Sequence, residues 1–263
     1  MAEEKKRPTL NNAEGHQAAK TAAKEGTLSP ATGNATGLRI GAIVLWVAAI
    51  VFELLAVLIL FGKLNITFLP TLAVLIILLV LDLACVIIAA QLWKKANHIR
   101  PASEKNKLLF WLWNNMGVVV ACFAFVPVII IMLTNKELDK KTKTIATIAA
   151  IVALLIGTAA SIDYNPISQE QLEAAGEAVT GLVYWTPYGK VYHTYVVTDA
   201  DDAVTESCPH LNRSDSLNWG GVEEAVAAGR TRLCSWCARH DGISTEGLLT
   251  DGSDVSGEAA EYE

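Results

Sequence analysis

At 263 residues, with 52% hydrophobic and only 18% charged side chains, the chain is more apolar than an average globular protein. The apolar excess is gathered into four long runs, which argues against a single water-soluble core. The formal charge of −6 is divided rather than uniform: basic residues flank the runs, and acids gather in the C-terminal third, where they oppose binding to nucleic-acid phosphates.

Residues 1–37 are rich in Ala, Lys, Glu, Gly, Thr and Asn, contain no aromatic residue and almost no large aliphatic one. Such a segment cannot bury enough surface to offset the entropy of ordering, so a disordered tail is expected, with "AEGHQAAKTAAKEG" forming at most a transient helix. His16, like His98 and His240, is isolated in the sequence and is expected to face solvent. No secretory signal peptide is visible, since the first apolar run starts near Ile40 behind the polar tail and is too long for an h-region.

The runs cover residues 40–62, 68–93, 108–133 and 144–162. Each approaches or exceeds the roughly 20 residues needed to cross about 30 Å of hydrocarbon, and soluble core helices rarely stay apolar on every face for so long. The chain is therefore predicted to be an α-helical integral membrane protein with a transmembrane domain over residues 38–162, and the lipid bilayer is its first expected partner. Only "KLNIT" separates the first two runs, which predicts a tight antiparallel hairpin. With both termini on the cytoplasmic side, the inner flanks hold eleven Lys and Arg against five in the outer loops, the orientation favoured by the positive-inside rule. Lys136, Lys140, Lys141 and Lys143 argue the other way. Trp93, Trp111 and Trp113 mark an interface. Pro127 is expected to kink the third run, whereas Pro70 falls in the first turn of the second.

Two carboxyls lie inside the runs. Glu53 and Asp82 sit roughly 20 and 17 Å from the same predicted face at about 1.5 Å rise per residue. An intramembrane acid is a functional suspect, as a proton, cation or headgroup site, or a polar clamp that fixes helix register. Asn114 and Asn115 lie nearer the boundary and suit hydrogen bonds between helices. Ala149, Ala153, Gly157 and Ser161 form a small-residue ridge that either closes the bundle or serves as a homodimer face. Cys85 and Cys122 read as small core residues. No inverted repeat or pair of broken helices points to a transporter.

From Asp163 the composition changes. Residues 163–177 read as a linker that includes a short polar helix, and 178–240 as a small α+β module. "GLVYWTPYGKVYHTYVV" predicts a β-hairpin turning at Pro187 and Gly189, "TDADDAVTES" an acidic loop, and "GGVEEAVAAGR" a short helix stopped at Gly229. Residues 241–263, with seven acids and no base, read as a disordered acidic tail.

Cys234 and Cys237, in "CSWC", have the spacing at which two thiolates face one tetrahedral metal. Cys208 is the natural third ligand, and His193, His210 and His240 compete for the fourth place. So small a module, with few large aliphatics, needs a staple, and structural zinc supplies it. The alternative chemistry is a thiol-redox pair at Cys234 and Cys237. "GKVYH…CPHL…EEAVAAGRTRLCSWC" resembles a small His-Cys-Cys-Cys zinc-knuckle module at the ends of many Gram-positive bacterial proteins, and is distantly similar to the zinc-binding domain of the Ada DNA-repair protein. The resemblance covers residues 181–239. It implies zinc held by His193, Cys208, Cys234 and Cys237, with His210 as the alternative fourth ligand, and this chain departs from the pattern by an acidic insertion between His193 and Cys208.

No Walker loop, G-x-G-x-x-G, H-E-x-x-H or G-x-S-x-G occurs, so no catalytic residue is assigned. Three functions remain: a non-enzymatic interaction or sensor protein that docks a protein partner at the membrane surface, a small transporter or channel component using Glu53 and Asp82, and a redox membrane protein using the C-x-x-C pair.

Overall fold

The computed structural model describes residues 7–24, 33–64, 66–136 and 138–252. The chain runs β1 (Thr9–Leu10), α1 (His16–Lys24), α2 (Ala35–Leu60), α3 (Thr71–Ile99), α4 (Lys107–Asn114), α5 (Met116–Thr134), α6 (Lys140–Ser161) and α7 (Gln169–Ala178). There follow β2 (Val183–Trp185), β3 (Val191–Tyr192), β4 (Val196–Thr198), β5 (Val204–Ser207), a 3-10 turn over Pro209–Arg213, β6 (Ser216–Gly220), α8 (Val222–Ala227), β7 (Arg232–Leu233) and α9 (Ser235–His240). Two compact units result, one of residues 34–97 and 105–164, the other of residues 1–33, 98–104 and 165–263.

The first unit is a helical bundle. Four of its helices, α2, α3, α5 and α6, are long and apolar enough to cross a membrane. α2 starts where the Asn34 side chain accepts from the Gly37 amide, and ends in a Schellman motif: Gly62, at φ 65°, donates to Ile59 O while Lys63 donates to Leu58 O. The core is built from Leu75, Leu79 and Val86 of α3, Phe125, Val128 and Met132 of α5, and alanines of α2 and α6. Gly117 lets helices meet: a Cβ there would lie 2.6 Å from Ala90 Cβ and 3.0 Å from Ser161 Cβ. Of the small-residue ridge on α6, Ala153, Gly157 and Ser161 are buried inside this bundle, Gly157 against Leu83, Phe125 and Ala121. The outer surface is the apolar one, with Val44, Leu155 and Phe123 at 62%, 64% and 74% exposure.

The third apolar run is one helix in the sequence reading but two in the structure, interrupted at Asn115 rather than shaped only by Pro127. The reason lies in competition for backbone groups. The Asn114 and Asn115 amides donate back to Phe110 O and Trp111 O at 3.0 Å each. Trp113 O is taken by the Trp93 indole N–H at 2.8 Å and the Asn97 amide at 3.3 Å. Around this break Arg39 stacks over the rings of Trp93 and Trp113, 5.8 and 5.4 Å from their centroids.

The second unit is α+β. β1 pairs in parallel with β6, β6 in antiparallel with β2, β3 in parallel with β7, and β4 in antiparallel with β5. The expected hairpin exists as one antiparallel bridge, Tyr184 with His193, while most of β2 pairs with β6. α8 ends as expected at Gly229, which sits at φ 84°.

Three expectations need correction. The tail read as disordered over residues 1–37 contains β1 and α1, with His16 fully buried, and its last residues open α2; residues 1–6 and 25–32 lie outside those described. Burial was missed because the surface that covers this segment comes from residues near 200 and 217. The stretch 163–177 is part of the module core rather than a bare linker, since Ile167 and Ala175 pack with Val183, Trp185 and Leu233. The stretch read as an acidic disordered tail over 241–263 packs on the module where it is described: Thr250 bridges Leu233, and Asp251 accepts from the Ser235 amide and hydroxyl; residues 253–263 lie outside those described.

Candidate metal centre

The four donors come from three chain segments locked together by backbone hydrogen bonds. His193 follows β3 and exchanges two bonds of 2.8 Å with Tyr184. The Cys208 amide donates to Tyr195 O at 2.9 Å, and the Cys234 amide to Tyr192 O at 3.0 Å. Cys234 caps α9, which carries Cys237 on its first turn. A strand, β7, thus runs straight into the helix bearing the C-x-x-C pair, a strand-to-helix setting that the sequence did not reveal.

All four side chains are buried, and their donor atoms lie within 4.8 Å of one another, so the cluster can hold a metal ion. Cys208 Sγ stands 3.8 Å from Cys234 Sγ, and Cys237 Sγ stands 3.7 Å from His193 Nδ1. On a tetrahedral ion with metal–sulfur bonds of about 2.3 Å and metal–nitrogen bonds of about 2.0–2.1 Å, sulfurs lie about 3.8 Å apart and a nitrogen about 3.5 Å from a sulfur. These two spacings match that polyhedron, and the remaining pairs lie within 4.8 Å. Leu10, Leu211, Leu217, Val191 and Trp236 wrap the sulfurs in apolar surface.

The electrostatics suit a cation. Hydrogen bonding from Cys208 and Cys234, then from His193 and the Tyr195 amide, holds Cys237 well below the ordinary thiol range despite burial. Cys208 is pushed up, first by sharing hydrogen bonds with the other two sulfurs and then by burial. Three sulfurs this close without a cation cannot all ionise; a divalent ion removes the conflict.

His210 does not join the four. It is exposed, with Nδ1 3.3 Å from Cys234 Sγ, where its N–H can donate to the sulfur, and it forms a separate, less buried group with Cys234 and Asp251. His240 is stacked on Trp236 with centroids 4.8 Å apart, away from the donors. In the bundle, Glu53 is half-buried and Asp82 is 2% exposed, with its Oδ1 lacking a hydrogen-bond partner among the described residues. Asn97 links the Arg39 guanidinium, at 3.4 Å, to Asn114 Oδ1, at 3.3 Å, so Asn114 serves as a polar clamp.

Sequence reasoning missed a second polar cluster, in which the buried His16 and Tyr184 meet the half-buried Asp202 and Trp219. His16 Nδ1 lies 2.6 Å from Asp202 Oδ1 and Nε2 lies 3.0 Å from Tyr184 OH, with the ring edge-on to Trp219 at 5.0 Å. Burial, reinforced by the Asp202 charge, pushes the Tyr184 hydroxyl up to about 12. The only sequence signal was the acidic insertion itself, which forms the β4–β5 hairpin and carries Asp202 at its turn. No protein-family model, no curated protein and no solved structure matches the chain.

Proposed function

We propose that the protein is a multi-pass membrane protein whose second unit is a zinc-stapled module acting as a non-enzymatic docking or sensing element at the membrane surface. The observation that carries the reading is the buried His193, Cys208, Cys234 and Cys237 cluster with tetrahedral spacings. Zinc is the ion favoured by three thiolates and one imidazole. Four protein donors leave no open position for a bound water, which argues against a catalytic ion. A redox pair needs an approachable sulfur, whereas Cys234 and Cys237 are both fully buried. The likeness to bacterial zinc-knuckle modules points the same way.

The membrane half rests on the apolar outer surface of α2, α3, α5 and α6, which lipid would solvate and water would not. Four crossings return the chain to its starting side, in keeping with residues 9–11 being hydrogen-bonded to residues 215–219. The excess of Lys and Arg on the inner flanks makes that side cytoplasmic in this reading.

The test is metal content of the full chain purified in detergent, beside His193→Ala and His210→Ala. About one zinc per chain, lost with His193→Ala and kept with His210→Ala, is the expected result for a four-donor closed site. Zinc-free protein with a Cys234–Cys237 disulfide would replace this reading with the redox one.

A further inference from the structure

The segment from Thr9 to Lys20 is held against the rest of its unit in the manner of a bound peptide. It adds a strand to the open edge of β6: the Thr9 amide donates to Asp215 O at 3.0 Å, the Asn11 amide to Leu217 O at 2.7 Å, and the Trp219 indole N–H to Asn11 O at 3.0 Å. The Asn11 side chain reads Asn218 Oδ1 at 3.0 Å and Ser216 Oγ at 3.3 Å. Leu10 packs onto the apolar cluster of Cys208, Leu211, Leu217, Cys234 and Cys237. After a turn through Asn12 and Gly15, both in the left-handed region, His16 enters a slot walled by Tyr184, Trp219 and Asp202.

The slot is selective. Neutral imidazole satisfies it from both ends, Nδ1–H donating to the Asp202 carboxylate and Tyr184 OH donating to Nε2. A hydrocarbon side chain there would leave the buried Tyr184 hydroxyl without this partner and take one of its donors from the part-buried Asp202 carboxylate. The wall that carries Asp202 is held by its own turn, where Asp199 Oδ1 accepts from the Asp201 and Ala203 amides at 2.9 Å each. Gln17 adds bonds to Asp199 O and Asp202 Oδ1, and Lys20 reaches Thr198 Oγ1 at 3.1 Å. A side chain with basic character thus meets an acidic turn. Main-chain bonds to a sheet edge supply affinity and side-chain pockets supply choice, the logic of strand-addition recognition.

We propose that the edge of β6 and the histidine slot form a peptide-binding site, occupied in cis by the chain's own residues 9–20, whose ligand is an extended segment entering a helix with Leu, Asn and His spaced as Leu10, Asn11 and His16. The site uses none of the four metal donors in its polar contacts. It rests on the reading of the module as a non-enzymatic docking element, and zinc content reports on the metal reading separately.

The experiment uses the full chain in detergent with a protease site inserted after Gly26. After cleavage, a fluorescein-labelled synthetic peptide of residues 7–24 is added and anisotropy followed, with zinc measured throughout. The expected result is saturable exchange of the labelled peptide into zinc-loaded protein, no uptake by uncleaved protein, and competition at least about tenfold weaker from a His16→Ala peptide, which loses both the charge-assisted bond to Asp202 and the buried bond from Tyr184. A cleaved segment that never exchanges, or module aggregation on cleavage, would make residues 9–20 an integral structural element and overturn the proposal. Exchange indifferent to His16→Ala would remove the histidine slot. Exchange into zinc-free protein would uphold the peptide site while sinking the metal reading.

Discussion

In the bundle, helices of 19 to 29 residues pack Phe125, Leu75 and Met132 between them; among the described residues of the other unit the longest helix has ten residues and no strand exceeds five. Elements that short cannot fold by local preference, because one or two turns do not repay the cost of nucleation. The module instead relies on partners distant in sequence: an apolar core that joins Ile167 and Ala175 to Val183, Trp185 and Leu233, the donor cluster, and the slot around His16. The bundle joins long helices over extended faces and exposes apolar surface, whereas the module joins short elements through those long-range contacts. Removing one donor should therefore cost the module more than removing one side chain costs the bundle.

The largest expected effect follows from that contrast. If the cluster holds the proposed zinc, chelation or Cys237→Ser should unfold the module while leaving the bundle helical, because apparent binding energy of about 10–16 kcal/mol stands behind a structural zinc site. Circular dichroism at 222 nm should fall only slightly, while limited proteolysis should begin to cut within residues 165–252. Uniform loss of helix would show that the two units fold as one and would dissolve the comparison. Next in size is Gly117→Leu in the bundle. The added side chain meets Ala90 and Ser161 where even a Cβ has no room, so a destabilisation of about 1–3 kcal/mol is expected, read as a lower thermal midpoint in detergent at unchanged zinc content.

How much of this was legible in the sequence divides along the same line. The four long helices could be read because their signal is local: apart from Glu53, the residues from Ile40 to Leu60 report the same apolar environment. The candidate metal cysteines were legible for a related reason, since the C-x-x-C spacing is itself a geometric statement; Cys208 was the natural third donor, while only the resemblance chose His193 over His210 and His240. Four expectations went astray where the deciding partner was remote. His16 meets residues 168 and 186 positions away, so nothing near it in sequence announced burial. Ile167 and Ala175 sit in a stretch too polar to signal a core. Thr250 and Asp251 are recruited by Leu233 and Ser235. The break at Asn115 depends on Trp93 and Asn97 reaching Trp113 O from another helix.

Asp82 sharpens the contrast from the bundle side. A buried oxygen without a partner costs about 1–3 kcal/mol in a protein interior. Asp82→Leu should therefore raise the thermal midpoint by a corresponding amount, since it removes the orphaned acid and adds apolar contact in a cluster already lined by Leu79, Val86 and Phe125. A stabilised variant would mark Asp82 as a residue kept for something other than stability, as expected for a proton or cation site. A destabilised one would show the carboxyl to be a register clamp, structural like Asn114.

The smallest effect tests whether residues 163–177 belong to the module. Ser168 is buried at the N-cap of α7, its hydroxyl accepting from the Gln171 amide at 3.1 Å while Gln171 Oε1 accepts from the Ser168 amide at 3.0 Å. This reciprocal capping box satisfies donors that a helix start otherwise leaves open. Ser168→Ala should cost about 0.5–2 kcal/mol. The cost should appear only in the module's unfolding, because α7 delivers Ala175 to the core shared with Val183 and Leu233 and its cap contributes nothing to the packing of α2, α3, α5 and α6. A linker helix would fray without consequence, leaving the zinc-dependent transition unmoved. A shift of that transition with an unmoved bundle would tie a polar, sequence-unremarkable stretch to the same cooperative unit as the metal cluster.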